Sequence, residues 1–266
     1  MMRITPMAKN ILITNIGIFA IQAILKLPLE DIFGLRVVFA EDFAAFQFAT
    51  YMWIHGGFGH LLSNMFAVFI FGPMLEQVWG PKRFLTFYLI CGIGAGVLYG
   101  AANFVEDYQL KQDTEAFLED PNPDAFSMFV VEHKAPFNSS FRRALAEFSD
   151  AYYEYPNNVE VKQQAISYVK SIYSATTNIP MVGASGAIFG ILMAFGMMFP
   201  NTQLFLLFPP IPIRAKYMVT FYALYEVYSE FSRQPGDNIA HLAHLGGMLI
   251  AFMLLKYWQK KEGRFY

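Results

Sequence analysis

Four polar residues stand in stretches that are otherwise apolar. His60 and Asn64 lie four apart in "HLLSN", Ser185 sits in "MVGASGAIFG", and His244 in "AHLGG". A serine hydroxyl is a weak nucleophile until a neighbouring base takes its proton. A histidine can be that base, and afterwards the acid that protonates a leaving amine. His60, Asn64 and the backbone N–H of Ser185 are donors suited to the oxyanion formed in acyl transfer. The chemistry available is therefore hydrolysis of an acyl or peptide bond by Ser185 with His244. The segments holding Ser185 and His244 carry no carboxylate to orient the histidine, so a dyad is expected.

Those residues need elements that bring them together, and the composition says what kind. Of 266 residues, 55% are hydrophobic and only 15% charged, against about 25% charged in a soluble domain. The charges are unevenly spread, as in a polytopic helical membrane protein whose spans need roughly 20 mostly apolar residues each. Six spans are expected, at about 9–27, 60–79, 84–104, 181–199, 216–231 and 238–258. The fifth is the weakest, with Glu226 and Glu230 in its second half. Arg3 and Lys9 before the first span resemble the start of a signal peptide, but no A-x-A cleavage site follows, so an anchor is expected.

Lys and Arg in short loops set the orientation. Arg3 and Lys9, Lys82 and Arg83, Arg214 and Lys216, and Lys256, Lys260, Lys261 and Arg264 all fall on one side of an even-numbered bundle. That side is the cytoplasm, with both termini there. The connection at 105–180, with twelve acidic and six basic residues, then lies outside. It contains a turn-rich break, "EDPNPD", and two amphipathic runs at 139–155 and 158–176 that predict helices. The whole chain, 1–266, reads as one membrane domain with this insertion between spans 3 and 4.

In that topology three distant spans place His60 with Asn64, Ser185 and His244 roughly 7–10 Å below the outer boundary, at 1.5 Å per residue. Small residues allow those spans to meet. Gly186 and Gly190 form a GxxxG pair beside Ser185, and Gly246, Gly247 and Ala251 give a matching face beside His244. Glu226 and Glu230 are expected to point toward the outer aqueous end of the fifth span.

"GASG" opening one span, "HLLSN" opening an earlier one and "AHLGG" in the last resemble the rhomboid intramembrane serine proteases. "WIHGGFGH" and "MLEQVWGPKRF" are similar to that family's approach to the second span and its cytoplasmic turn. The resemblance covers roughly 40–104 and 181–258. It implies an all-α, six-transmembrane-helix rhomboid-like bundle in a bacterial inner (plasma) membrane. It also implies Ser185 as nucleophile, His244 as base, His60 and Asn64 as oxyanion donors, and Gly183, Gly186 and Gly247 as supporting residues. The implied substrates are transmembrane proteins whose helices unwind at the outer end, approaching near the second and fifth spans through the lipid. The connection "SRQPGD" fits a cap. The insertion is not part of the minimal six-helix core, and Ala251 stands where many members have a second glycine.

Plainer readings exist for each element. A G-x-S-G in a membrane helix is by itself more often packing, and His60 with Asn64 could cap a helix at the interface. His241, one turn before His244, is the rival base and is given a supporting or interfacial role. His55 is expected to stabilise its glycine-rich loop, and His133 to be a solvated loop residue. Cys91, the single cysteine, reads as packing. Zinc on His241 and His244 is not expected, since H-E-x-x-H is absent; neither metal nor organic cofactor is implied. The net charge of -2 argues against nucleic acid as a partner. The competing functions are a catalytically silent relative that binds membrane clients, which typically lacks the serine or the histidine, and a small transporter, which would need acidic residues at mid-membrane.

Overall fold

The computed structural model describes residues 4–40, 42–133, 137–205, 211–232 and 239–263. In these, helices α1 (Pro6–Leu25), α2 (Leu29–Phe33) and α3 (Gln47–Thr50) lead through a 3₁₀ turn at Tyr51–Trp53 to α4 (Phe58–Trp79). Then follow α5 (Pro81–Glu119), α6 (Pro123–His133), α7 (Ser139–Glu154), α8 (Val159–Thr177) and α9 (Ser185–Met198). A short antiparallel ribbon, β1 (Gln203–Phe205) with β2 (Pro212–Arg214), pairs Gln203 with Arg214 and precedes α10 (Ala215–Phe231) and α11 (His241–Glu262). The fold is all-α apart from this ribbon.

Three of the described helices, α1, α4 and α5, are long and apolar enough to cross a membrane. The sharp α4–α5 turn follows from its residues. Gly80 takes a positive φ of 76°, and Pro81 opens the next helix where its missing N–H costs nothing. At 1.5 Å per residue, the 39 residues of α5 reach about 58 Å. A hydrocarbon layer is about 30 Å thick, so the helix runs unbroken well past the span expected at 84–104. Its second half joins α6, α7 and α8 around a core of their own, which includes Leu110, Phe117, Phe126, Leu145, Tyr152 and Val169. The runs at 139–155 and 158–176 are α7 and α8, whose N-termini are capped by the side chains of Asn138 and Asn158. Helix α6 is not foreshadowed by amphipathic patterning.

The larger core lies where α5, α9 and α11 pack together with α4 against them. One end of this bundle is fixed by charge. Glu76 near the end of α4 accepts hydrogen bonds from the Thr5 hydroxyl and from the N–H groups of Met7 and Ala8 (2.9 and 2.8 Å) at the start of α1. Arg83 pairs with Glu262 at 2.8 Å and lies over the Trp258 ring. The α1 start, the α4–α5 turn and the α11 terminus, with their Lys and Arg residues, therefore meet at one end. Arg3 and Arg264 fall outside the described residues, as does most of "SRQPGD".

Candidate active site

Helix α9 is short because its start is built from loop. The span expected from 181 becomes helical only at Ser185. Before it, Met181 forms a two-way bridge with Leu35 (2.8 and 2.9 Å), and the Gly183 N–H donates to the Tyr51 carbonyl at 3.0 Å. Gly183 has φ of +115°, a region side chains rarely adopt, and a Cβ there would run into the His60 ring. The segment before α4 thus holds the approach to Ser185, and Gly183 keeps it flush against His60. Fourteen residues of α9 span about 21 Å, less than a bilayer core of about 30 Å. Irregular backbone within a membrane is tolerated where protein or a polar cavity surrounds it.

Ser185 is the first residue of α9 and His244 the fourth of α11. Gly186 lies against Ala95 of α5 and the Ala243 carbonyl of α11, and a Cβ on Gly247 would collide with the Gly186 carbonyl. Only glycine lets the three backbones approach this closely. In that geometry the Ser185 hydroxyl and His244 Nε2 stand 2.8 Å apart. Phe189, one turn after Ser185, stacks on the His244 ring with centroids 4.2 Å apart and planes 8° from parallel, which limits how the imidazole can tilt.

The two side chains expected to serve an oxyanion both lie on α4. His60 is the third residue of α4 and lies beside Gly183. Asn64, one turn on, is buried, and its Nδ2 has no hydrogen-bond partner among the described residues. A buried amide donor left unpaired costs about 1–3 kcal/mol, so it marks a place where an acceptor is missing. The N–H groups in the first turn of α9 have no carbonyl within the helix to bond. Ala95, against which Gly186 packs, lies fourteen residues along α5 from Pro81. That is about 21 Å from the basic end of the bundle.

Glu226 departs from the sequence expectation. It lies on α10, yet it is only 4% exposed and does not point to an aqueous end. One of its oxygens, Oε2, is 2.9 Å from His244 Nδ1 and 2.6 Å from His241 Nδ1. A carboxylate therefore does reach the histidine. The spans that hold Ser185 and His244 have no carboxylate of their own, and this one comes from α10, which packs against both. A glutamate facing inward on a sparsely apolar span was the available signal. His241 is buried within this cluster and is not interfacial. His55 is wholly buried, its ring edge-on to His60 at 5.2 Å, with neither nitrogen paired among the described residues. His133 ends α6 and bonds Asp113 at 2.9 Å, so it is no loop residue. Cys91 is buried against Gly190.

Glu226, His241 and His244 could each offer one ligand atom to a cation. Their 2.6 and 2.9 Å separations are those of hydrogen bonds. Ligands sharing a tetrahedral zinc at about 2.0–2.1 Å would stand roughly 3.3 Å apart. Asp113, Glu132 and His133 form a second such group, on α5 and α6, with Glu132 exposed.

A helical membrane protein with a serine and a histidine in hydrogen-bond contact at two helix N-termini is the class that fold and site define. The Rhomboid domain family model matches residues 42–108 and 163–260, more than half of the chain, and the chain belongs to the rhomboid family. The unmatched stretch between them holds the end of α5, α6, α7 and the start of α8. "RHOMBOID-like protein 6, mitochondrial" of Arabidopsis thaliana is 51% identical over 49 residues, 18% of this chain and 16% of that protein. "Putative rhomboid protease YdcA" of Bacillus subtilis (strain 168) is 37% identical over 54 residues, 20% of this chain and 25% of that one. An uncharacterized mitochondrial rhomboid protein of Schizosaccharomyces pombe is 25% identical over 215 residues, 78% of this chain and 50% of that one. The chain thus spans half or less of the length of each of these relatives.

Proposed function

We propose that the chain is an intramembrane serine endopeptidase that hydrolyses peptide bonds in or near transmembrane segments of other membrane proteins. The observation that carries this reading is the 2.8 Å contact between the Ser185 hydroxyl and His244 Nε2. The buried Nδ2 of Asn64, unpaired among the described residues, supports it as a donor awaiting an acceptor. In the first step Ser185 Oγ attacks the scissile carbonyl carbon as its proton passes to His244 Nε2. The carbonyl oxygen becomes an oxyanion, stabilised by donors from Asn64, His60 and the Ser185 N–H. The C–N bond then breaks and His244 gives its proton to the departing amine, leaving Ser185 acylated. A water, deprotonated by His244, hydrolyses that ester and restores the hydroxyl.

The proposed substrate is a transmembrane helix, reaching the site laterally through the lipid and unwinding at its outer end so that a peptide bond becomes accessible. Both termini are proposed to be cytoplasmic, with the α6–α8 insertion on the opposite side in a bacterial inner membrane. The test is cleavage of a model transmembrane substrate by purified protein in liposomes. Wild type is expected to cut it, and Ser185→Ala and His244→Ala are expected not to. Cleavage that survives both substitutions removes the assignment. A wild type inert toward every substrate favours a silent client-binding relative.

A further inference from the structure

Glu226 bridges two histidines of one helix from a neighbouring helix, and this arrangement has chemical consequences for His244. Nδ1 of both His241 and His244 face the same oxygen, Oε2. A protonated carboxylic acid has one hydrogen and can serve only one of them, so at least one ring donates. An ionised carboxylate only accepts, and then both rings carry their hydrogen on Nδ1. For His244 this leaves Nε2 with its lone pair directed at the Ser185 hydroxyl, 2.8 Å away. That is the tautomer a general base requires. With the hydrogen on Nε2 instead, His244 could only donate to Ser185 and could not take its proton.

His241 and His244 lie three residues apart in the first turn of α11, so they present their rings on adjoining faces. The carboxylate oxygen is held from both, which fixes its position more tightly than one contact would. Burial strengthens the effect: Glu226 is 4% exposed, His241 2% and His244 8%. In a site so poor in water, the carboxylate stabilises the imidazolium that forms when Ser185 is deprotonated.

We propose that Glu226 is a positioning residue that sets the tautomer and orientation of His244, with His241 holding the shared carboxylate oxygen in place. The site is then a chain of hydrogen bonds from Ser185 through His244 to Glu226, completed by a residue on α10. This assignment rests on the serine-protease reading of the same site, and its test is chosen to separate the two.

Protein in liposomes, with ¹⁵N-labelled histidine assigned through His241→Phe and His244→Phe, reports ring tautomers directly at neutral pH. In wild type, His244 is expected to carry hydrogen on Nδ1 and none on Nε2, while Glu226→Gln gives a mixture or the reverse. The same proteins are treated with a fluorophosphonate, which reacts with an activated serine whatever the natural substrate. Glu226→Gln is expected to slow labelling of Ser185 on the order of 10²-fold or more, and His241→Phe about tenfold. With a cleavable substrate, the loss falls in kcat with KM within about threefold. A wild-type His244 protonated on Nε2, or a Glu226→Gln protein that labels at the wild-type rate, overturns the proposal. Because the tautomer is read without turnover, the first outcome decides it even if wild type proves inert and the protease reading fails.

Discussion

Gly186 follows the proposed nucleophile, and a methyl group placed there tests whether close helix packing mounts Ser185. A Cβ at Gly186 would stand 2.6 Å from the Cβ of Ala95, 3.4 Å from the Tyr51 hydroxyl and 3.5 Å from the Ala243 carbonyl. Carbon atoms make ordinary contact at about 3.5 Å, so the first turn of α9 falls about 0.9 Å short of room. Ala95 is fully buried, and its methyl group has no rotamer that moves it aside. The turn must therefore shift, carrying Ser185 with it. A shift of that size lengthens the 2.8 Å Ser185–His244 contact to roughly 3.7 Å, beyond hydrogen-bond range. Misplacement of about 1 Å is worth roughly 10² in rate, and overpacking costs about 1–3 kcal/mol. Gly186→Ala is thus expected to lower fluorophosphonate labelling and substrate cleavage on the order of 10²-fold, with a modest fall in the thermal midpoint. Gly59→Ala is the control: it makes the same chemical change on α4 beside His60, but a Cβ there meets nothing within 4 Å. Equal activity and equal stability of the two variants would refute the packing argument.

Other consequences are measurable with the same material. On the proposed mechanism Asn64→Ala is expected to lower kcat on the order of 10²-fold with little change in KM, since its Nδ2, unpaired among the described residues, would donate to the oxyanion; the thermal midpoint should not fall, because no described hydrogen bond to that nitrogen is lost. Leu145→Ala, in the separate core of the insertion, is expected to destabilise that part by about 2–5 kcal/mol. Hydrogen exchange should rise in α6–α8 while Ser185 labelling stays at the wild-type rate. Asp107 lies 26 residues along α5 from Pro81, about 39 Å against a hydrocarbon layer of about 30 Å, and burial, and then Glu106, push its carboxyl up to about 6. A carboxyl raised on folding binds more protons in the native state, so stability falls as pH rises from about 4 to about 6. Asp107→Asn is expected to flatten that part of the thermal-midpoint profile, and an unchanged slope would remove the assignment.

Much of the membrane core is legible in the sequence because its residues act through local rules. "WGPK" marks a helix break by backbone chemistry, and the glycines after Ser185 and His244 mark close approach. The amphipathic runs at 139–155 and 158–176 announce α7 and α8. Residues set by tertiary geometry are harder to find. The first turn expected for α9 is lost to a strand-like bridge between Met181 and Leu35, two segments distant in sequence. The unbroken continuation of α5 past 104 crosses from apolar to charged residues without any helix-stopping signal, so hydropathy alone ended it early. The carboxylate on His244 comes from a helix with no local motif, and only the packing of α10 on α11 reveals its direction. His133 shows the same limit, since its neighbouring sequence does not name the Asp113 that fixes it.

Adduct formation at Ser185 tests the central claim most directly. Wild-type protein in liposomes, treated with a fluorophosphonate and digested for mass spectrometry, is predicted to carry one adduct, on Ser185, that disappears in His244→Ala. An unmodified Ser185, or a Ser185 modified equally well without His244, would contradict a serine activated by that histidine.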